Sequence, residues 1–174
     1  MRLLYLITRA EPGGAQVHLL ELLRGFRDRA ELHLGVGEDQ DGFLVEEARA
    51  LGVRVHLLRH LVQPVRPVKD FLGLFEVMAL IRKVRPHLLH AHSSKAGFLG
   101  RLAGRVLGVK SVFTAHGWAF TDGVPEGRKR LALAMERLAG RLGRAGRFRS
   151  HRPAVRWRSW HRGARLHLER RQAQ

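Results

Sequence analysis

The chain has 174 residues, 45% of them hydrophobic, enough for one well-cored domain and short for two. It contains no cysteine, which excludes thiolate metal sites, disulfide staples and cysteine nucleophiles, and no apolar run approaches the roughly 20 residues of a membrane span. The formal net charge of +17 is unevenly placed: residues 141–174 hold eleven arginines against one acid, Glu169, a net +10, and the other 21 basic and 14 acidic residues leave residues 1–140 at +7.

Residues 3–7 form a continuous apolar run, read as a strand buried on both faces and not as a signal peptide, because the polarity returns after about six positions. Thr8 to Gly14 make a turn, and a helix follows in which Val17, Leu20 and Leu23 share one side that Leu19, Leu22 and Phe26 widen. Strand, Gly-Gly turn, helix is an arrangement that aims backbone N–H groups at an anion; an isolated pair of glycines is about as often a simple tight turn. A second strand is expected over 32–36, a short helix over 43–51 closed by Gly52, and a third strand over 53–58. After an irregular stretch with Pro64 and Pro67, Asp70 is placed to cap a helix whose core stripe is Phe71, Leu74, Phe75, Met78 and Ile81, ending near Arg85 and Pro86.

The stretch from His87 to Trp118 repeats the strand, helix, strand pattern. Leu88, Leu89 and Ala91 lead to His92, Ser93 and Ser94; Gly97, Leu99, Leu102, Ala103 and Val106 fit a helical stripe; and a last apolar run over 109–115 stops at His116 and Gly117. The whole order is βαβαβαβαβ, which implies an α/β fold with a parallel, Rossmann-like sheet covered by helices on both faces. Carboxyl ends of parallel strands share one edge, so His92, Ser93, Ser94, Lys95, His116 and Gly117 are expected to line one crevice. His90 and His92 alternate onto one strand face without a cysteine or carboxylate beside them, so a metal cluster is the weaker reading of these histidines. Lys95 suits an anionic group on a ligand, or equally a solvated surface position.

Three segments together carry a resemblance: Arg9 to Leu22 with Gly13-Gly14 and His18, His90-Ala91-His92-Ser93-Ser94-Lys95-Ala96-Gly97, and Thr114-Ala115-His116-Gly117-Trp118. In order and spacing they resemble the N-terminal, acceptor-side half of family 4 retaining glycosyltransferases of the GT-B fold, over residues 1–140. The resemblance implies transfer of a sugar from a nucleotide-diphosphate donor to a saccharide or lipid-linked acceptor, as in cell-surface polysaccharide or glycolipid synthesis, with no metal or other cofactor. It assigns the donor diphosphate to Gly13 and Gly14, the transferred sugar to His116 as the catalytic position, and the acceptor to His18, His92, Ser93, Ser94, Lys95, Gly117 and Trp118.

The resemblance also implies a donor-binding domain that residues 141–174 cannot supply. The chain alone is expected not to turn over, and its donor half to be a missing C-terminal domain or a second subunit, in which case it is an acceptor-binding or membrane-recruiting subunit. Residues 141–174 show no helical or strand periodicity and are read as an irregular tail or as out-of-frame sequence; their arginines imply nonspecific attraction to nucleic acid but no specific recognition. A helix expected over 126–140 sets Arg128, Lys129, Arg130 and Arg137 against Leu131, Leu133, Met135 and Leu138, a pattern that suits either an anionic membrane surface or packing on the sheet. The expected location is cytoplasmic, peripheral at the inner face of the membrane.

Overall fold

The computed structural model describes residues 1–38 and 42–116. Along them run β1 (Arg2–Ile7), α1 (Gly14–Phe26), β2 (Glu31–Val36), α2 (Phe43–Ala50), β3 (Arg54–Leu57), α3 (Pro67–Val84), β4 (Leu88–Ala91), α4 (Ser94–Val106) and β5 (Lys110–Phe113). The strands form one sheet in the order β3-β2-β1-β4-β5, each neighbouring pair parallel. This is the α/β, Rossmann-like architecture that the alternation of strand and helix patterns implies, with boundaries within a few residues of those expected.

β1 is central because it can be buried on both sides. Leu3, Tyr5 and Ile7 face α1 and α2 through Leu19, Leu20, Leu23, Leu44 and Val45, whereas Leu4 and Leu6 face α3 and α4 through Val77, Ile81, Leu89 and Leu99. Each such side chain taken fully from water stabilises the fold by about 1.5–3 kcal/mol, so the five consecutive apolar residues of β1 tie the two layers together. The chain leaves β1 toward β2 and β3, then returns across it to β4 and β5. That reversal opens a crevice between the carboxyl ends of β1 and β4, where open sheets of this kind bind ligands.

Two expectations for α3 need correction. The helix begins at Pro67, whose fixed φ and missing N–H suit a first helical position; Asp70 lies inside the first turn, not at the cap, and its Oδ2 accepts the Arg66 backbone N–H at 3.0 Å. Its buried side is Gly73, Val77, Leu80, Ile81 and Val84, while Phe71 and Phe75, expected in the core, are exposed at 62% and 51%. Both sides of this helix are apolar, so the periodicity fits two stripes, and packing chose the one that includes Gly73, which closely approaches the backbone at His60. The helix ends at Arg85 in the left-handed region (φ 50°), with Pro86 next, and the Arg85 N–H bonds the Ile81 carbonyl at 2.8 Å.

Candidate functional site

The crevice is closed at its base by backbone and hydroxyl bonds between the two strand ends. The His92 N–H donates to the Leu6 carbonyl at 2.8 Å and the Thr114 N–H to the Ala91 carbonyl at 3.0 Å, continuing both ladders past the last strand residues. The Thr8 N–H donates to Ser93 Oγ at 3.3 Å, and the Thr8 hydroxyl donates to Gln63 Oε1 at 2.7 Å. Ser93 occupies the cap position of α4 but its hydroxyl turns to Thr8, so no side chain caps that helix. Ser94, its first residue, is exposed.

Gly13 and Gly14 stand where β1 hands over to α1. Gly13 is the cap residue, extended at φ −176°, and no side chain caps the helix or places an acid in its first turn. A Cβ on Gly13 would lie 2.8 Å from Gln16 Oε1, whose amide Nε2 donates to the Arg9 carbonyl at 3.1 Å, whereas a Cβ on Gly14 would meet open space. The start of α1 therefore presents uncapped N–H groups with the positive end of the helix dipole behind them.

One turn further on, His18 comes against the histidines of the sheet edge. Its ring centroid lies 5.1 Å from that of His116 and 5.9 Å from that of His92, and His90 and His92 are 4.1 Å apart. His92 is 2% exposed and its Nδ1 lies 3.0 Å from His116 Nε2; His90 Nε2 lies 2.7 Å from the Thr114 hydroxyl; His116 itself is exposed. Burial is the main cause that lowers the pKa of each of these three, His90 to about 4 and His92 to about 3, and neighbouring imidazoles add to it. They are neutral imidazoles at neutral pH. Among the described residues no group of three or more histidines and carboxylates has the geometry to hold a metal ion.

The structure thus brings together His18, His92 and His116, with Ser93 bonded to Thr8 beyond the end of β1 and Gly13 and Gly14 one turn before His18 on α1. It directs Lys95 elsewhere: its ammonium, with the side chain 11% exposed, bonds Asp70 Oδ1 at 2.5 Å and the Pro64 carbonyl, tying the first turn of α4 to that of α3. His92 is enclosed, so its contacts are with other imidazoles and with Tyr5. Gly117, Trp118 and the helix expected over 126–140 lie outside the described residues. Thr114 and Asp70 were not read from the sequence as parts of this site. Thr114 was legible, because it precedes His116 by two on the same strand end and so shares its face; the Asp70 pairing has no local signal.

The comparisons agree on one assignment. A UDP-Gal:alpha-D-GlcNAc-diphosphoundecaprenol alpha-1,3-galactosyltransferase of Escherichia coli is 34% identical over 116 residues, covering 61% of this chain and 30% of that protein. The O-antigen biosynthesis glycosyltransferase WbnH of Escherichia coli is 26% identical over 115 residues, covering 66% of this chain and 32% of that one. The chain therefore spans about a third of the length of these relatives. Among solved structures, Anabaena Alr3699/HepE in complex with UDP and glucose superposes with a TM-score of 0.60 at 21% identity over 78% of this chain and 35% of that one. Acinetobacter baumannii MurG superposes at 0.58 with 13% identity, over 82% and 39%. These two establish a shared fold, that of GT-B glycosyltransferases. The family profile of the glycosyl transferase 4-like domain matches residues 13–145, more than half of the sequence, and the chain belongs to that family.

Proposed function

We propose that this chain is the acceptor-side half of a glycosyltransferase that moves a sugar from a nucleotide-diphosphate donor to a saccharide or lipid-linked acceptor, with retention at the anomeric carbon and without a metal or other cofactor. In that reaction the bond from the anomeric carbon to the diphosphate breaks and a bond to an acceptor hydroxyl oxygen forms on the same face. The observation that carries the reading is the placement of exposed His116 beside the first turns of α1, at the sheet's reversal point, in a chain of this family. The uncapped start of α1 at Gly13 and Gly14 suits the diphosphate, and a neutral histidine at the strand end suits a sugar hydroxyl. One relative's acceptor, a GlcNAc-diphosphoundecaprenol by name, and another's part in O-antigen biosynthesis make a polyprenyl-linked saccharide the first acceptor to test.

Peripheral contact with the membrane that carries such an acceptor has support of its own. Val68, Phe71, Leu72 and Phe75 form an exposed apolar stripe along the first half of α3, with exposed Val65 just before the helix and Arg66 and Lys69 beside it. Apolar stripes rimmed by cations suit the interface of an anionic bilayer. No described helix is long and apolar enough to cross a membrane.

The test is flotation of the chain with vesicles that do or do not contain GlcNAc-diphosphoundecaprenol, followed by assay of sugar transfer from a UDP-sugar when a donor-binding half is supplied in trans. Retention that depends on the acceptor, lost in His116→Ala, supports the reading. Transfer in the second step makes it half of an enzyme. Acceptor-dependent retention without transfer favours the recruiting subunit, and indifference to the acceptor overturns both.

A further inference from the structure

The His92 and His116 pair has a polarity that can be worked out from which nitrogens have partners. His92 is 2% exposed; its Nδ1 faces His116 Nε2 at 3.0 Å, and its Nε2 is buried with no hydrogen-bond partner. A neutral imidazole carries one N–H and one lone pair. If the proton were on Nε2, a buried donor would go unsatisfied, which native proteins rarely tolerate; with the proton on Nδ1, the orphan is only a lone pair, the cheaper defect. His92 therefore donates from Nδ1, and His116 Nε2 must accept. The proton of neutral His116 is then left on Nδ1, the nitrogen that does not face His92.

We propose that His92 is a positioning residue that fixes the tautomer of His116, so that His116 offers the crevice an Nδ1–H donor and no basic lone pair. In this arrangement His116 recognises an oxygen lone pair, on a sugar hydroxyl or a phosphate, and is unsuited to remove a proton from an acceptor hydroxyl. The groups that surround the pair do not compete for the assignment. His18 packs on both rings, while Tyr5 and His90 pack on His92, and His90 is itself bonded to Thr114 through Nε2. Among the described residues no carboxylate bonds either ring, so the relay has no anion to pull its proton the other way. Burial of His92, and the partial desolvation and nearby His18 that lower the pKa of His116, favour the neutral rings that the assignment needs.

What the donor N–H recognises rests on the function proposed above; the tautomer does not, and the test separates the two. Two-bond proton–nitrogen correlation spectra of the 15N-labelled full chain at pH 7.5 read each imidazole's tautomer directly. The expected pattern is Nδ1–H for both His92 and His116. An Nε2–H pattern at His116, or an averaged mixture, overturns the proposal without any variant being made. His92→Asn, which places an amide N–H where Nδ1 stood, is expected to leave the His116 pattern in place. His92→Phe removes the donor and is expected to turn His116 from mostly Nδ1–H to mostly Nε2–H; an unchanged His116 pattern in a folded His92→Phe chain also overturns it. A chain that shows the expected spectra but no acceptor-dependent retention on vesicles leaves the relay standing and defeats the functional reading instead.

Discussion

Two histidine pairs sit on opposite faces of the same sheet, and their difference separates a structural pair from one that can act. His33 on β2 and His56 on β3 lie on the α3 side, joined Nδ1 to Nε2 at 3.0 Å with rings stacked at 5.3 Å and 17°. His92 and His116 lie on the α1 side, joined Nδ1 to Nε2 at 3.0 Å with rings stacked at 5.3 Å and 24°. The geometry is nearly the same, but the partners are not. His33 Nε2 meets Glu31 at 3.2 Å, and Arg54 holds that carboxylate at 2.5 Å, so both nitrogens of the buried ring are satisfied. His92 has no such carboxylate and keeps an orphaned nitrogen, while its partner reaches the exposed edge where strands end. A pair whose proton runs to a carboxylate at the start of its own strand holds strands together; a pair whose proton runs to the carboxyl edge presents a donor.

The strongest way to break this comparison is to move β5. α4 lies so close to β5 that a Cβ on Gly97 would fall 2.6 Å from the Phe113 ring, and Arg101 is stacked over the other part of that contact, its guanidinium carbon 4.7 Å from the ring centroid. Gly97→Val should cost about 2–3 kcal/mol of stability through overpacking, a fall in Tm of roughly 5–10 °C. Because β5 carries the approach to His116, the same variant should erase the His92–His116 correlation in the spectra and leave that of His33 and His56 intact. Equal disturbance of both pairs would mean that the two faces are mechanically one.

Acid comes next in size. Unfolded, His92 binds a proton near pH 6.5; folded, burial holds it to about 3, so the unfolded state gains protons first as pH falls. The stability this group contributes is complete above about pH 7 and drains as pH drops from there toward 3. At about 1.4 kcal/mol per pH unit for each fully coupled group, His92 alone should cost about 2 kcal/mol by pH 5. Chemical denaturation at pH 7.5 and pH 5 should show the loss, and His92→Asn should reduce it by about that amount. A pH-independent stability would place His92 nearer to solvent than the structure has it.

Lys95→Met asks whether the lysine at this edge is structural. Its partner Asp70 is 23% exposed, so the carboxylate left behind is only partly buried, and a loss of about 1–2 kcal/mol is expected where a fully buried pair would lose more. Asp70→Asn added to Lys95→Met should recover part of that loss. A Lys95→Met chain of unchanged stability would release the lysine for a ligand.

How far the sequence could be read followed the range of the interactions. β1 was legible because five apolar residues in a row fit a strand buried on both faces, the ends of later apolar runs set His92 and His116 at strand ends, and Gly13-Gly14 marked the turn into α1. The second stripe of α3 was not, since Phe71 and Phe75 fit the helical period as well as Val77 and Leu80 do, and only the opposing surface decides between them. Nor was the enclosure of His92: a histidine one residue past a strand reads as solvent-facing until His18 on α1 is known to cover it. Lys95 shows the same limit, its partner lying 25 residues away on another helix.

The smallest expected effect sharpens the comparison most directly. Burial lowers the pKa of His33, and Glu31, through its hydrogen bond and its charge, is what raises it against that burial while Arg54 and Arg2 lower it further. Glu31→Gln removes the opposing influence, so His33 should titrate lower still, as followed by its ring signals between pH 4 and pH 8. With Glu31 half-exposed, the stability lost at pH 7 should be only about 0.5–1 kcal/mol. The tautomer is the more telling quantity. With a carboxylate the proton of His33 must sit on Nε2, and His56 must donate to Nδ1; an amide at residue 31 can present either its oxygen or its N–H, so that constraint disappears. His33 should then show a mixture of tautomers, while His92 and His116, on the other face, keep the single pattern that the buried Nε2 of His92 sets. A His33 that keeps one tautomer without Glu31 would show that stacked imidazoles choose their own polarity, and the outward direction of the proton at the crevice would need another cause.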